Sequence, residues 1–327
     1  MKTKCSLELW SLLYRVANLR HSGRARSCFI RALKLVAKGL ALVARQFIPD
    51  PIVRVEIASR DLLMPWSHSL PRLLRNRPHY ESELRRLASH VHQVDGRLRM
   101  IDVGANVGDT VAMIPSLPNS KFLCVEGSES YFELLRRNFE TDENVTRVFA
   151  LLGDQQDKSG GLSLVETHGT AHLVKQTDVI ASAPWQTLDE VVSSDNSFLN
   201  ANLLKVDTDG YDLHVLRGAT EFLQRAKPCL YVEFSPQHWR LFGATAPKKG
   251  FAFLSEMGYD SVLIYDDRGY LIGRCSTKTP ELLSAMAQYG VRNPRIYFNL
   301  LAIHPARPDM ETFYASETMT DDLNLVA

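Results

Sequence analysis

Cysteine is scarce in this chain of 327 residues: five are present, and no two stand at CxxC spacing. That excludes a disulfide framework or a structural zinc site as the means of holding the fold. A chain this long needs neither, because a domain of about 300 residues buries roughly three quarters of the surface its unfolded form exposes. Cys124 and Cys229 stand in apolar runs and read as small core residues. Long hydrophobic runs are absent too, and no segment reaches the ~18 uncharged apolar residues of a spanning helix. The apolar stretch near the start is broken by Glu8, Arg15 and Arg20, so we expect no secretory leader and a cytoplasmic protein. Net charge is also small. With 38 basic against 37 acidic residues, the composition argues against a chain-wide nucleic-acid binder.

The balance hides an asymmetry. Residues 1–50 hold ten Lys and Arg against two acids, whereas the remainder holds 28 against 35. Within the basic piece, residues 29–48 read as a helix. At about 100° per residue, Arg31, Lys34, Lys38 and Arg45 fall on one stripe, and Leu33, Val36, Leu40, Phe47 and Ile48 lie on the other side. Two readings stand for this helix. It packs on its own domain or on a second subunit with its charges solvated, or it lies on a membrane surface. Pro49 and Pro51 close the segment. The chain therefore divides into a basic helical extension (1–50), a leader with a helix at 81–94 that covers the site (51–97), a main domain (98–305) and a flexible acidic tail (306–327).

From residue 98 strands and helices alternate. Apolar runs at 99–103, 121–126, 144–154, 201–210 and 228–234 read as strands, with Ser128 capping the helix after the second. Residues 260–273 read as a hairpin and 295–303 as a closing strand. This alternation predicts a doubly wound, mostly parallel α/β sheet with an antiparallel edge.

Ligands of such sheets bind beyond the carboxyl ends of the strands. Polar residues gather there: Asp102 and the loop Gly104-Ala105-Asn106-Val107-Gly108, then Glu126, Asp154, Asp207 and Glu233. The loop lacks the middle glycine of GxGxxG, and Asp109 at the following helix start would repel a pyrophosphate. S-adenosylmethionine (SAM) has no phosphate. Its sulfonium and amino cations suit acids, and backbone N–H groups of the loop are expected to meet its carboxylate. Glu126, 24 residues after Asp102, stands where a ribose-binding acid is expected. A side chain at Gly104 is expected to fill the cofactor's place or force a strained φ.

The block Ile101-Asp102-Val103-Gly104-Ala105-Asn106-Val107-Gly108 stands with Val125-Glu126 and with Lys205-Val206-Asp207-Thr208-Asp209-Gly210-Tyr211-Asp212. Together with Thr187-Leu188-Asp189, it resembles the FkbM family of SAM-dependent methyltransferases over roughly 98–303. One departure is Thr208-Asp209-Gly210-Tyr211-Asp212, where the family usually carries Val-Glu-Gly-x-Glu. The resemblance implies a seven-stranded Rossmann-like class I methyltransferase that methylates a hydroxyl, often of a sugar or a polyketide-like product. Asp102, Gly104, Asn106, Gly108, Glu126 and Asp154 are then the cofactor residues. Asp207 and Glu233 are the favoured bases, with Asp209, His238 and His68 as alternatives. His68 and Trp66 are candidates to cap the pocket. Lys205 reads as a strand-edge residue or a partner of these acids, and His214 as a packed helix residue. No metal is required, although oxygen ligands at Asp207 and Asp209 would suit magnesium. Two other readings remain: a catalytically silent, membrane-associated scaffold, and an NAD-dependent oxidoreductase.

Overall fold

The computed structural model describes residues 2–18, 27–44, 50–58, 60–155, 162–167, 170–175, 183–279, 281–293 and 296–324. Its main strands, in chain order, are β1 Arg99–Val103, β2 Lys121–Glu126, β3 Val145–Phe149 and β4 Leu203–Val206. They continue as β5 Cys229–Phe234, β6 Ser261–Asp266, β7 Leu271–Ser276 and β8 Phe298–Ile303. These eight form one sheet in the order β7-β6-β8-β5-β4-β1-β2-β3. From β3 to β5 all neighbours are parallel. The edge β5-β8-β6-β7 is antiparallel. The fold is therefore the doubly wound α/β sheet expected from the alternation. It has eight strands rather than seven because both arms of the C-terminal hairpin join the sheet.

Every residue of β4 and of β8 is buried, since helices cover both faces. Successive β1 side chains serve two separate cores: Ile101 and Val103 pack on one side, Met100 on the other. The third strand is shorter than the run 144–154 suggests. At Ala150 the N–H turns to the Glu126 carbonyl at 3.2 Å, and Leu151–Leu152 pair instead with Trp185–Gln186.

Ahead of the sheet, the helix Lys2–Ala17 docks on a hairpin of Ile52–Ile57 and Arg60–Pro65. Trp10 and Tyr14 meet Trp66 edge-on, with ring centroids 6.1 and 5.1 Å away. The predicted helix at 29–48 spans Ser27–Ala44, and residues 45–48 lie outside the described ones. The leader helix runs Ser82–Asp95. The C-terminal segment departs from the expected frayed tail and forms the helix Met310–Asn324. Met310 and Phe313 are buried, and Glu317 takes the Arg86 guanidinium through both oxygens at 2.6 Å. Apolar residues three apart plus a two-pronged ion pair hold this helix, which composition alone does not reveal.

Candidate active site

Strand order reverses between β1 and β4, and a cavity of about 380 Å³ opens at their carboxyl ends. The glycine loop after β1, Glu126, the turn after β4, the end of β5 and the leader all contribute to its wall.

The loop is a closed hydrogen-bonded unit. Gly104 and Ala105 both donate to the Val125 carbonyl at 3.0 Å, and Gly108 donates to the Ala105 carbonyl. The Asn106 N–H is taken by Glu126 Oε2 at 2.7 Å and the Val107 N–H by Asn106 Oδ1 at 2.8 Å. These N–H groups are therefore committed within the fold, contrary to the expectation that they meet the cofactor's carboxylate. Gly104 sits at φ +82°, and a Cβ there would collide with the Asp207 backbone carbonyl. The glycine is needed for β1 and β4 to approach at the switch point. The left-handed φ and the Asp207 carbonyl each exclude a side chain at this position.

Glu126 also accepts the Ser128 N–H at 2.7 Å through its other oxygen. Burial pushes its carboxyl up to about 7 despite these bonds. Glu126 lines the cavity, and a carboxylate has further acceptor capacity beyond these bonds, which suits the ribose role. His68, expected near the pocket, lines it and is buried. Its Nδ1 accepts the Leu70 N–H at 3.3 Å, which leaves the proton on Nε2 to donate to Asn106 Oδ1 at 3.2 Å. Both ring nitrogens are thus engaged, so His68 ties the leader to the loop and is poorly placed as a base. Trp66 does not line the cavity and packs under the N-terminal helix instead.

Asp102 and Asp154 line the cavity in neither case. Asp102 is fully buried and points to the Met100 side of the sheet, where Lys205 Nζ stands 3.3 Å from Oδ1. The same ammonium reaches Asp207 Oδ2 at 3.1 Å. Burial drags the lysine downward, but Asp102, Asp207, Glu81 and Asp109 outweigh it and hold the ammonium charged. Lys205 is thus the partner of the acids, as one reading had it. Asp154 lies 3.8 Å from His214, which stacks on Tyr211 with centroids 4.4 Å apart. His214 is a packed helix residue.

Asp209, Glu233 and His238 meet on the opposite wall, with one ligand atom from each inside a 4.8 Å span. His238 Nδ1 stands 3.8 Å from Asp209 Oδ1. Gly210, at φ +106°, makes this possible, because a Cβ would strike the His238 backbone. Burial, then the neighbouring Asp207 and Asp212 charges, lift the Asp209 carboxyl to about 8. Burial, then Asp207 and Asp209, raise Glu233 well above the usual carboxylate range. Two oxygens and an imidazole can hold a shared proton or a divalent cation. Asp212, also in the matched block, plays another part. It accepts from the Thr208 and Gly210 N–H groups and from Trp239 Nε1 at 2.9–3.1 Å, so it braces the turn.

Sequence reasoning missed Glu81. This residue, in the left-handed region at φ +51°, is 7% exposed and lines the cavity, with no hydrogen bond to Oε2 among the described residues. Burial lifts its carboxyl to about 8. Its place in the leader, ahead of every motif, gave no signal.

The described wall thus carries six carboxyl groups, from Glu81, Asp109, Glu126, Asp207, Asp209 and Glu233, against the single ammonium of Lys205. A pyrophosphate would face a wall rich in acids and a loop whose N–H groups are already bonded. SAM suits this wall, because it brings two cations and no phosphate.

The family model "Methyltransferase FkbM domain" matches residues 102–261. Among solved structures, similarity extends to the methyltransferase FkbM from Methylobacillus flagellatus KT, at 18% identity over 49% of this chain and TM-score 0.32. The chain spans 37% of that protein's length. A putative O-methyltransferase from Klebsiella pneumoniae is 11% identical over 72% of this chain and 89% of its own, with TM-score 0.36. The plantazolicin methyltransferase BpumL, solved with SAH, is 9% identical over 93% of this chain and 100% of its own, with TM-score 0.32. No curated protein matches the chain. Residues 102–261, around the cavity described above, match the FkbM methyltransferase domain family.

Proposed function

We propose that this protein transfers the methyl group of SAM to a hydroxyl oxygen of a sugar, glycan or secondary metabolite. One observation carries the reading: at the switch point, an acid-lined cavity sets the ribose-type acid Glu126 against the group Asp209, Glu233 and His238. SAM, when bound, supplies an electrophilic methyl carbon whose bond to sulfur breaks as the new bond to oxygen forms. Transfer is then mainly alignment of oxygen, carbon and sulfur in line. An alcohol needs its proton removed as it attacks, and a base with a pKa near the operating pH does this best. Asp209, at about 8, matches that demand, with Glu233 and His238 beside it to share the proton. Asp207, already held by Lys205, positions rather than accepts.

The test is to incubate the protein with SAM carrying a ¹³C-methyl group and a panel of sugars and polyols, then follow S-adenosylhomocysteine release. Carbon NMR of the product reads the acceptor atom. A methoxy signal supports the proposal. Methyl on nitrogen or carbon, or failure to bind SAM by calorimetry, overturns it.

A further inference from the structure

We infer that the two N-terminal helices dock this protein on the surface of an anionic lipid bilayer. The observation is an apolar face that the fold leaves uncovered. Of the thirteen exposed large apolar side chains among the described residues, seven lie on these helices. Leu9 and Leu12 stand on the first, and Leu33, Leu35, Val36, Leu40 and Leu42 on the second. Leu35 and Leu42 are each 71% exposed. A helix packed on its own domain would not show this pattern, because its apolar side would be the buried one.

The geometry explains how the face arises. The first helix spends Trp10 and Tyr14 on Trp66, and Arg54 fixes its position by donating its N–H to Ser11 Oγ at 2.9 Å. The second helix packs against the first, with Ala37 buried at 3% exposure among its described side chains. At about 100° per residue, the arc opposite Ala37 carries Leu35 and Leu42, with Arg31 and Lys38 along one edge and the exposed Val36 and Leu40 on the other flank. Ser27–Ala44 contains no acid. The first fifty residues hold ten basic against two acidic residues, while the rest of the chain is net acidic. An apolar arc bordered by positive charge complements anionic headgroups over acyl chains. It does not complement the acidic body of a second copy's main domain in its apolar part. Among the described residues no helix is long and apolar enough to cross a membrane, so the contact lies in the interface plane.

The test uses the full chain with phosphatidylcholine vesicles, with or without about 30% phosphatidylglycerol, in flotation assays across a salt series. Binding to the anionic vesicles alone, falling as salt rises, is expected. Lys34→Glu with Lys38→Glu should weaken binding at least about 30-fold, since each basic residue near such a surface contributes about fivefold. Leu35→Glu with Leu42→Glu should also abolish flotation while leaving SAM binding unchanged, which shows the variant is folded. Equal binding to both vesicle types, or none to either, overturns the inference. So does a dimer, seen by light scattering, that the leucine variant dissolves, because the face would then belong to a second copy.

Discussion

Lys205 and Asp102 stand in register on β4 and β1, their charged groups 3.3 Å apart, with 3% and 0% of their side chains exposed. The same ammonium reaches Asp207 Oδ2 at 3.1 Å and so ties the buried pair to the cavity wall.

Removing one partner leaves the other charged and buried. Lys205→Met should destabilise the protein by about 3–5 kcal/mol. Lys205→Met with Asp102→Leu should recover most of that loss, because two apolar groups of similar volume need no partner. Urea unfolding of the two variants checks this. If the double variant is as unstable as the single, the pair is not what holds this part of the sheet.

Among the raised carboxyls of the cavity, Glu126 sits at about 7, and Glu81 and Asp209 at about 8, each chiefly through burial. A raised folded pKa means that the folded state holds protons the unfolded chain has released. The stability from these groups is therefore full below pH ~4 and is lost as pH climbs through 7 to 8. Melting temperature of the free protein should fall between pH 6 and 8.5, and Glu81→Gln should flatten that slope. A bound sulfonium favours the ionised acids, so SAM binding should release protons and tighten as pH rises over the same window. Calorimetry in buffers of different ionisation enthalpy reads the proton count. Proton uptake would contradict the charge arrangement described here.

Much of this was legible in the sequence because it rests on short periods. Strands with both faces covered read as apolar runs, and Ser128 caps its helix as expected, accepting the Tyr131 N–H. Asp102, expected among the cofactor residues, is instead fully buried beside Lys205 and does not line the cavity. What stayed hidden depends on distant packing. Glu81 reaches the cavity because the leader folds back over the β1 loop. The C-terminal helix holds because Glu317 finds Arg86, 231 residues away in sequence. The engagement of both His68 nitrogens likewise follows from where Asn106 Oδ1 points, which no spacing encodes.

Gly104→Ala tests the switch point. A left-handed φ costs an L-residue about 1–2 kcal/mol, and the collision with Asp207 adds to it. The variant should lose thermal stability and SAM affinity together. Loss of SAM affinity at full stability would instead mean that the added methyl meets the cofactor and leaves the β1–β4 contact intact.

The base is tested by amides that keep shape and remove basicity. Asp209→Asn should lower turnover by about 10²–10⁴-fold, the usual share of general base catalysis, with SAM affinity little changed. Glu233→Gln and His238→Gln should lose less, since each shares the proton without being its first acceptor. Asp207→Asn frees Lys205 from one carboxylate and should chiefly raise the acceptor KM, the mark of lost positioning. Because Asp209 must be ionised to accept a proton, the rate should rise with pH toward about 8 in the unaltered protein. That rise should vanish in Asp209→Asn. If the amide keeps both the rate and its pH dependence, while His238→Gln loses them, the imidazole is the base and Asp209 only orients it.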